Sequence, residues 1–317
     1  MRVLAGPRGR DFLDRRDAPP SVTVTGHGTF QLPLRCFALA GDDEPRGRRL
    51  HLGRNGFLYA GTIDDTTTQR NSVVLCVALT GHPFTVHTRK ESLAVTDAVL
   101  MAPGWLRIDT GGAPVALLDV CPTDYHFRAL ARAVVGTRVW PRAHFAELFD
   151  DLASFRSGRM PRREADALHV RVLELAVQQV PPVPPLDPRI RDVMRRMREE
   201  PGMPVAELAA AVGLSADWLR RLFATEAGLP LGRYEMTLRL QTAAAHLHLG
   251  VSLTQVAANA GFADLAHFSK FWKLHYGFAP SRAFAGSEVV IDEAPWPCME
   301  TTHPGTEARA SPGKTPA

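Results

Sequence analysis

LAAAVGLSADWLRRLF, residues 208–223, and VAANAGFADLAHFSKFW, residues 256–272, share one order of apolar, small and polar positions. In the first, Val205, Leu208, Ala209 and Val212 recur at i, i+3, i+4 and i+7, which gives a short helix one buried face. Gly213 follows, and glycine takes the left-handed backbone of a tight turn at least cost. Ser215 then stands where a helix N-cap accepts from a free N–H. In the helix it starts, Leu219, Leu222 and Phe223 point one way; at about 100° per residue, Asp217, Arg220, Arg221 and Ala224 point the other. A short helix, a glycine turn, and a second helix with an apolar back and a polar front make a helix-turn-helix.

The second copy follows the same logic. Leu253, Val256, Ala257 and Ala260 line its first helix, Gly261 turns it, and Asp264 is the expected cap. Phe268, Phe271 and Trp272 form the apolar back; matching Phe268 to Leu219 puts Ala266, Ser269, Lys270 and Lys273 on the front. Gly213 and Gly261 are 48 residues apart, and Leu219 and Phe268 are 49 apart, so the offset is 48 before the turn and 49 after it. LGRYEMTLRLQTAAAHLHLG, residues 231–250, predicts one long helix between them. A solvated helix face is the alternative for each charged residue on these fronts, most of all for Lys273.

Upstream, VPPVPPLDP (residues 180–188) enforces an extended, semi-rigid connector, because proline fixes φ and donates no helix hydrogen bond. A domain boundary falls here, with residues 181–188 as linker and 189–285 as the paired helix-turn-helix domain. Asp187 and Pro188 supply an N-cap and a first helical residue, and Ile190, Val193, Met194 and Met197 form one apolar face beyond them. Residues 25–122 read differently. TFQLPLRCFALA, RNSVVLCVAL, FTVHT, LAVTDAVLMA and APVALLDVC are strand-like runs broken by turn residues, which predicts five to eight strands in a sandwich or small barrel. Residues 123–180 switch to helix: TDYHFRALARAVV capped by Thr123, then two proline-started helices from Pro141 and Pro161, joined by RSGRM. Their apolar seam, which includes Leu168, Val172, Leu175 and Val180, either covers the barrel or pairs with a second subunit; residues 123–180 are assigned to dimerisation. Residues 1–24 and 286–317 are polar and rich in Pro, Gly and charge, which predicts disorder.

The formal charge of +4 and a pI near 9.1 permit a nucleic-acid partner without demanding one. The first twenty residues have no apolar core of a signal peptide, and no run of about 18 apolar residues occurs, so a cytoplasmic location without membrane contact is expected. Cys36, Cys76, Cys121 and Cys298 stand far apart, outside any CxxC pair, and the first three read as buried thiols.

Residues 187–285 resemble the DNA-binding domain of the AraC/XylS family of transcription regulators. The resemblance rests on the paired units, on RLQTAAAHL in the linking helix, on VAANAGFADLAHFSKFWKLHYGFAPS, and on the glycine and proline of GFAP. It implies an α+β chain: a cupin-like β-barrel with a helical hairpin, then an all-α domain with two helix-turn-helix units. It implies that both second helices read successive major-groove segments, with Asp217, Arg220 and Arg221, then Ala266, Ser269 and Lys270, facing bases. Arginine grips guanine O6 and N7 with two bonds, whereas Lys270 stands where the family usually has arginine and acts as a point charge. The implied partners are double-stranded promoter or operator DNA, RNA polymerase, an unidentified small-molecule effector and a second copy of the chain. Activation is the implied sign of control.

The alternative is a cupin-type enzyme with an accessory helical domain. It needs a ligand set, and the candidates His82, His87 and Glu91 do not match the usual pair of histidines one residue apart. An odd spacing sends His82 and His87 to opposite strand faces, so no metal, cofactor or catalytic residue is assigned.

Overall fold

The computed structural model describes residues 49–53, 56–246, 251–281 and 290–291. The predicted strand at 29–40, the predicted disorder of 1–24, Cys36 and Cys298 lie outside the described residues. The strands are β1 (Arg49–Gly53), β2 (Gly56–Gly61), β3 (Thr66–Arg70), β4 (Val73–Ala78), β5 (Phe84–Thr88), β6 (Ser92–Val95), β7 (Ala98–Met101), β8 (Gly104–Asp109), β9 (Val115–Val120), β10 (Thr137–Trp140) and β11 (Val290–Ile291). They form a seven-stranded sheet in the order β10-β7-β4-β9-β2-β1-β11 and a four-stranded sheet in the order β3-β8-β5-β6. Pairing is antiparallel except between β1 and β11. Val290–Ile291 therefore lie in a strand inside the segment predicted to be disordered.

The central strands of the large sheet are buried along their whole length. Alternation sends Val73, Leu75 and Val77 to one face and Val74, Cys76 and Ala78 to the other, and both faces are covered. One face meets the small sheet through Phe57, Tyr59, Phe84, Val86, Leu106 and Ile108. The other meets helices α1 (Phe127–Ala133), α2 (Phe149–Arg156) and α3 (Arg162–Gln178), and a 3-10 turn at Arg142–Leu148. The two sheets are also joined through a buried ion pair. Arg70 of β3 donates from Nη1 to Asp119 Oδ2 of β9 at 2.6 Å, the Ser72 hydroxyl donates to the same oxygen at 2.6 Å, and the guanidinium lies 5.3 Å from the Phe57 ring centroid. Burial pushes the thiols of Cys76 and Cys121 up, so both stay protonated inside the sandwich.

Three expectations need correction. LAVTDAVLMA is two strands, not one: Thr96 and Asp97 part β6 in the small sheet from β7 in the large one. Thr123 caps no helix; α1 begins four residues later without a side-chain cap, and the Thr123 hydroxyl accepts from Gln241 at 2.8 Å. The seam of the helical hairpin faces its own sheet, with Leu168 and Val172 fully buried in the core that also holds Leu58, Leu118 and Phe155. Beside it His51 of β1 lies 2.7 Å from Asp166 of α3 and edge-on to His169, and burial followed by the His51 charge lowers the His169 pKa to about 4.

Beyond the extended linker come α4 (Pro188–Glu199), α5 (Val205–Ala211), α6 (Ala216–Ala227), α7 (Leu231–Ala245), α8 (Leu253–Asn259) and α9 (Leu265–Tyr276). Asp187 caps α4 by accepting from the Arg189 N–H at 2.9 Å, with Pro188 at the first helical position as its sequence implies.

Two substitutions test this packing. Leu168→Glu places a charge in a closed core, so loss of the folded state, read by circular dichroism, is expected. Asp119→Ala leaves Arg70 charged and unpaired, and should lower unfolding free energy by about 3–5 kcal/mol in urea titrations.

Candidate nucleic-acid interface

Both helix-turn-helix units are built from the same local bonds. After α5, Gly213 (φ 69°) donates to the Ala210 carbonyl at 3.1 Å and Leu214 to that of Ala209 at 2.9 Å. After α8, Gly261 (φ 73°) donates to Ala258 at 3.0 Å and Phe262 to Ala257 at 2.9 Å. The left-handed φ explains the glycine in each turn. Ser215 then accepts from the Trp218 N–H at 3.3 Å, and Asp264 accepts from the His267 N–H at 2.7 Å, so both second helices start on a side-chain cap.

The backs of these helices are buried where the spacing requires. Leu219 and Phe223 pack with Leu208, Ala209, Ile190, Val193, Leu231 and Tyr234; Phe268 and Trp272 pack with Val256, Ala257, Leu240 and Ala243. Helix α7 thus gives its first half to one unit and its second half to the other. It ends at Ala245, and residues 247–250 of the predicted long helix lie outside the described residues.

On the fronts, Asp217, Arg220 and Arg221 of α6 and Ala266, Lys270 and Lys273 of α9 are exposed, while Ser269 is half-buried. Arg220 Nη1 donates to Asp217 Oδ1 at 3.1 Å, which spends part of both side chains on each other. Arg221 instead lies with its guanidinium 5.4 Å from the ring centroid of Trp218. Trp218, 47% exposed, is a front residue that the sequence pattern leaves out. Its signal was its absence from the Leu219–Leu222–Phe223 stripe: an apolar residue off the apolar face.

Both second helices are seated on the amino-terminal domain by their carboxy-terminal ends. For α6, Arg128 of α1 donates from Nε to the Glu226 carbonyl at 2.7 Å, and Arg132 donates to the Thr225 carbonyl at 3.0 Å. These cations meet the negative end of the helix dipole. For α9, the chain leaves at Gly277 (φ 88°), where a Cβ would stand 2.7 Å from Thr66 Cγ2 of β3. His275 is buried just before it. Burial is the main cause lowering its pKa to about 4; nearby Arg70 adds to the effect and Asp119 opposes it.

His82 lies in the loop before β5, not on the strand, so strand alternation does not govern it; its ring Nδ1 is 3.3 Å from Thr80 Oγ1. His87 lies within β5, and Glu91 in the following turn accepts from the Thr137 hydroxyl at 2.9 Å. No group of three His, Cys, Asp or Glu side chains placed to hold a metal occurs among the described residues.

The fold and this geometry define a tandem helix-turn-helix module behind a sheet-rich domain. A family model described as "Helix-turn-helix domain" matches residues 208–285. The chain is 38% identical over 85 residues to Escherichia coli (strain K12) YidL, an uncharacterized HTH-type transcriptional regulator; the match spans 26% of this chain and 29% of YidL. Two crystal structures of ToxT from Vibrio cholerae strain SCE256 share the overall fold at 11% identity. The apo form of a ToxT variant has a TM-score of 0.51 over 75% of this chain and 100% of that chain. Wild-type ToxT with bound unsaturated fatty acid has a TM-score of 0.50 over 76% and 99%.

The seat of α9 predicts acid sensitivity. Below its unfolded pKa of 6.5, His275 takes up a proton in the unfolded chain but stays neutral in the folded one down to about 4. Stability should therefore fall as pH drops through that window, by about 3 kcal/mol from His275 alone. His169 adds to the same limb. Urea midpoints measured from pH 7 to pH 4 should fall less steeply for His275→Leu.

Proposed function

We propose that the chain is a sequence-specific DNA-binding transcription regulator whose amino-terminal, cupin-like domain binds a small-molecule effector. The observation that carries this reading is the pair of capped, glycine-turned units in one chain, each with its second helix exposed on the polar front. Two reading heads about one helical turn apart multiply specificity within a single chain. Asp217, Arg220, Arg221, Ala266, Ser269, Lys270 and Lys273 are the proposed DNA-facing set. The alternative as a cupin-type enzyme has no support among the relatives.

Effector control is supported by the seating of both reading helices on the domain that would bind the effector. A ligand shifts an equilibrium only if it favours one arrangement of the protein over another. Contacts of α1 with α6, and of β3 with α9, give such a preference a short route to the heads. A homodimer and contact with RNA polymerase belong to the same proposal on family resemblance, with the dimer surface elsewhere than the buried face of α3. A cytoplasmic site of action belongs to it too; no helix among the described residues is long and apolar enough to cross a membrane.

The test is selection of bound duplexes from a random pool by the full-length chain, followed by footprinting. Each bound chain should protect two adjacent major-groove segments, and log affinity should fall linearly with log salt at about 0.9 per phosphate neutralised. One protected segment per chain would make the second unit purely structural, and failure to enrich any sequence would overturn the reading.

A further inference from the structure

Two arginines stand side by side on α6, and the structure gives them different surroundings. Arg220 is tied to Asp217, so the carboxylate competes with any base for its N–H groups and repels a nearby phosphate. Arg221 lies over the face of Trp218. A cation held on an aromatic face spends none of its N–H donors, and among the described residues no acceptor takes those of Arg221. Its planar fork is therefore held in place with its full bidentate capacity available.

Trp218 needs its own account. It is the one exposed tryptophan among the described residues; Trp140 and Trp272 are buried and Trp105 half-buried. Its neighbour Leu219 fills the core, so Trp218 contributes nothing to closing the back of α6. Its backbone N–H is the one that Ser215 caps, which puts the indole in the first turn. In a helix-turn-helix the amino-terminal residues of the second helix meet the base edges. Large aromatic rings left exposed at such a place are the type that anchors interfaces, because they bury area with few rotatable bonds.

Resting on the DNA-binding reading above, we propose that Trp218 and Arg221 act as one base-reading pair: Arg221 grips guanine O6 and N7, and Trp218 is the positioning residue that holds the guanidinium and covers the adjoining base or sugar. Arg220, held by Asp217, reads no base. The first head then recognises a guanine flanked by an apolar edge such as a thymine methyl.

The experiment uses the full-length chain on the duplex it selects, with every single-base variant of the first half-site as competitor. Trp218→Ala and Arg221→Ala should each weaken binding about tenfold or more and relax preference at the same base pair. Their double variant should bind little worse than Arg221→Ala alone, since the two act together. Trp218→Phe should restore most of the loss, which a ring needed only for its indole N–H would not do. Arg221→Lys, which leaves Trp218 and the charge in place, should relax that preference while keeping the salt slope. Arg220→Ala should weaken binding to every single-base variant alike, without relaxing preference at any base pair. Losses that multiply in the double variant, an unchanged profile in Trp218→Ala or in Arg221→Lys, or relaxation by Arg220→Ala would overturn the pairing while leaving the DNA-binding reading intact. A wild-type chain that selects no sequence would overturn both. Thermal melting of each variant separates loss of contact from loss of fold; if Trp218→Ala melts, Trp218→Phe and Arg221→Lys decide alone.

Discussion

Burial of the seven-stranded sheet on both faces is the constraint from which the rest of the architecture follows. A sheet covered on one side could stand as a free sandwich with a wet outer surface. Here Leu58, Leu75, Leu100 and Leu118 require a second cover, and α1, α2 and α3 supply it. The same apolar cluster then runs on through Ile190, Leu208, Leu219 and Tyr234 into the first helix-turn-helix unit. The sheet domain and the first helix-turn-helix unit share one hydrophobic body at that point.

The interior polar groups fit this picture. Between the sheets, Asp119 joins β9 to β3 through Arg70, and β3 is the edge on which α9 comes to rest. A buried ion pair adds little net stability compared with a well-packed apolar pair, yet it fixes geometry because breaking it costs several kcal/mol. The strand that seats the second head is thereby held in register with the centre of the large sheet. Asn71, one residue beyond β3, donates to the Arg233 carbonyl of α7 at 3.2 Å and carries the same alignment into the helix between the heads.

What could be read from the sequence was what is local. Turn, cap and stripe in each helix-turn-helix unit lie within about a dozen residues, so Gly213, Ser215, Gly261, Asp264 and the buried faces were all legible. Contacts across long separations were not. Arg70 and Asp119 are 49 positions apart, and nothing near either one marks the other. The break between β6 and β7 carries no glycine or proline, which hid the passage from one sheet to the next. An amphipathic seam such as that of α3 states that something covers it but not what, and its direction appeared only with the sheet in place. Trp218 escaped because an apolar residue is ordinarily assigned inward, and its setting depends on Arg221 one turn later.

The two heads do not belong equally to the rest of the molecule. The first shares its core with the sheet-covering helices, whereas the second has a core of its own around Leu240, Val256, Phe268 and Trp272, and touches the amino-terminal domain mainly through α9. Cooperative units in a protein follow such divisions of packing. The first unit joins the body of the protein through a continuous core, while the second keeps a core of its own and rests on β3 through α9. One chain therefore anchors its two units by different means, the first by a shared core and the second by a separate core set against a strand edge.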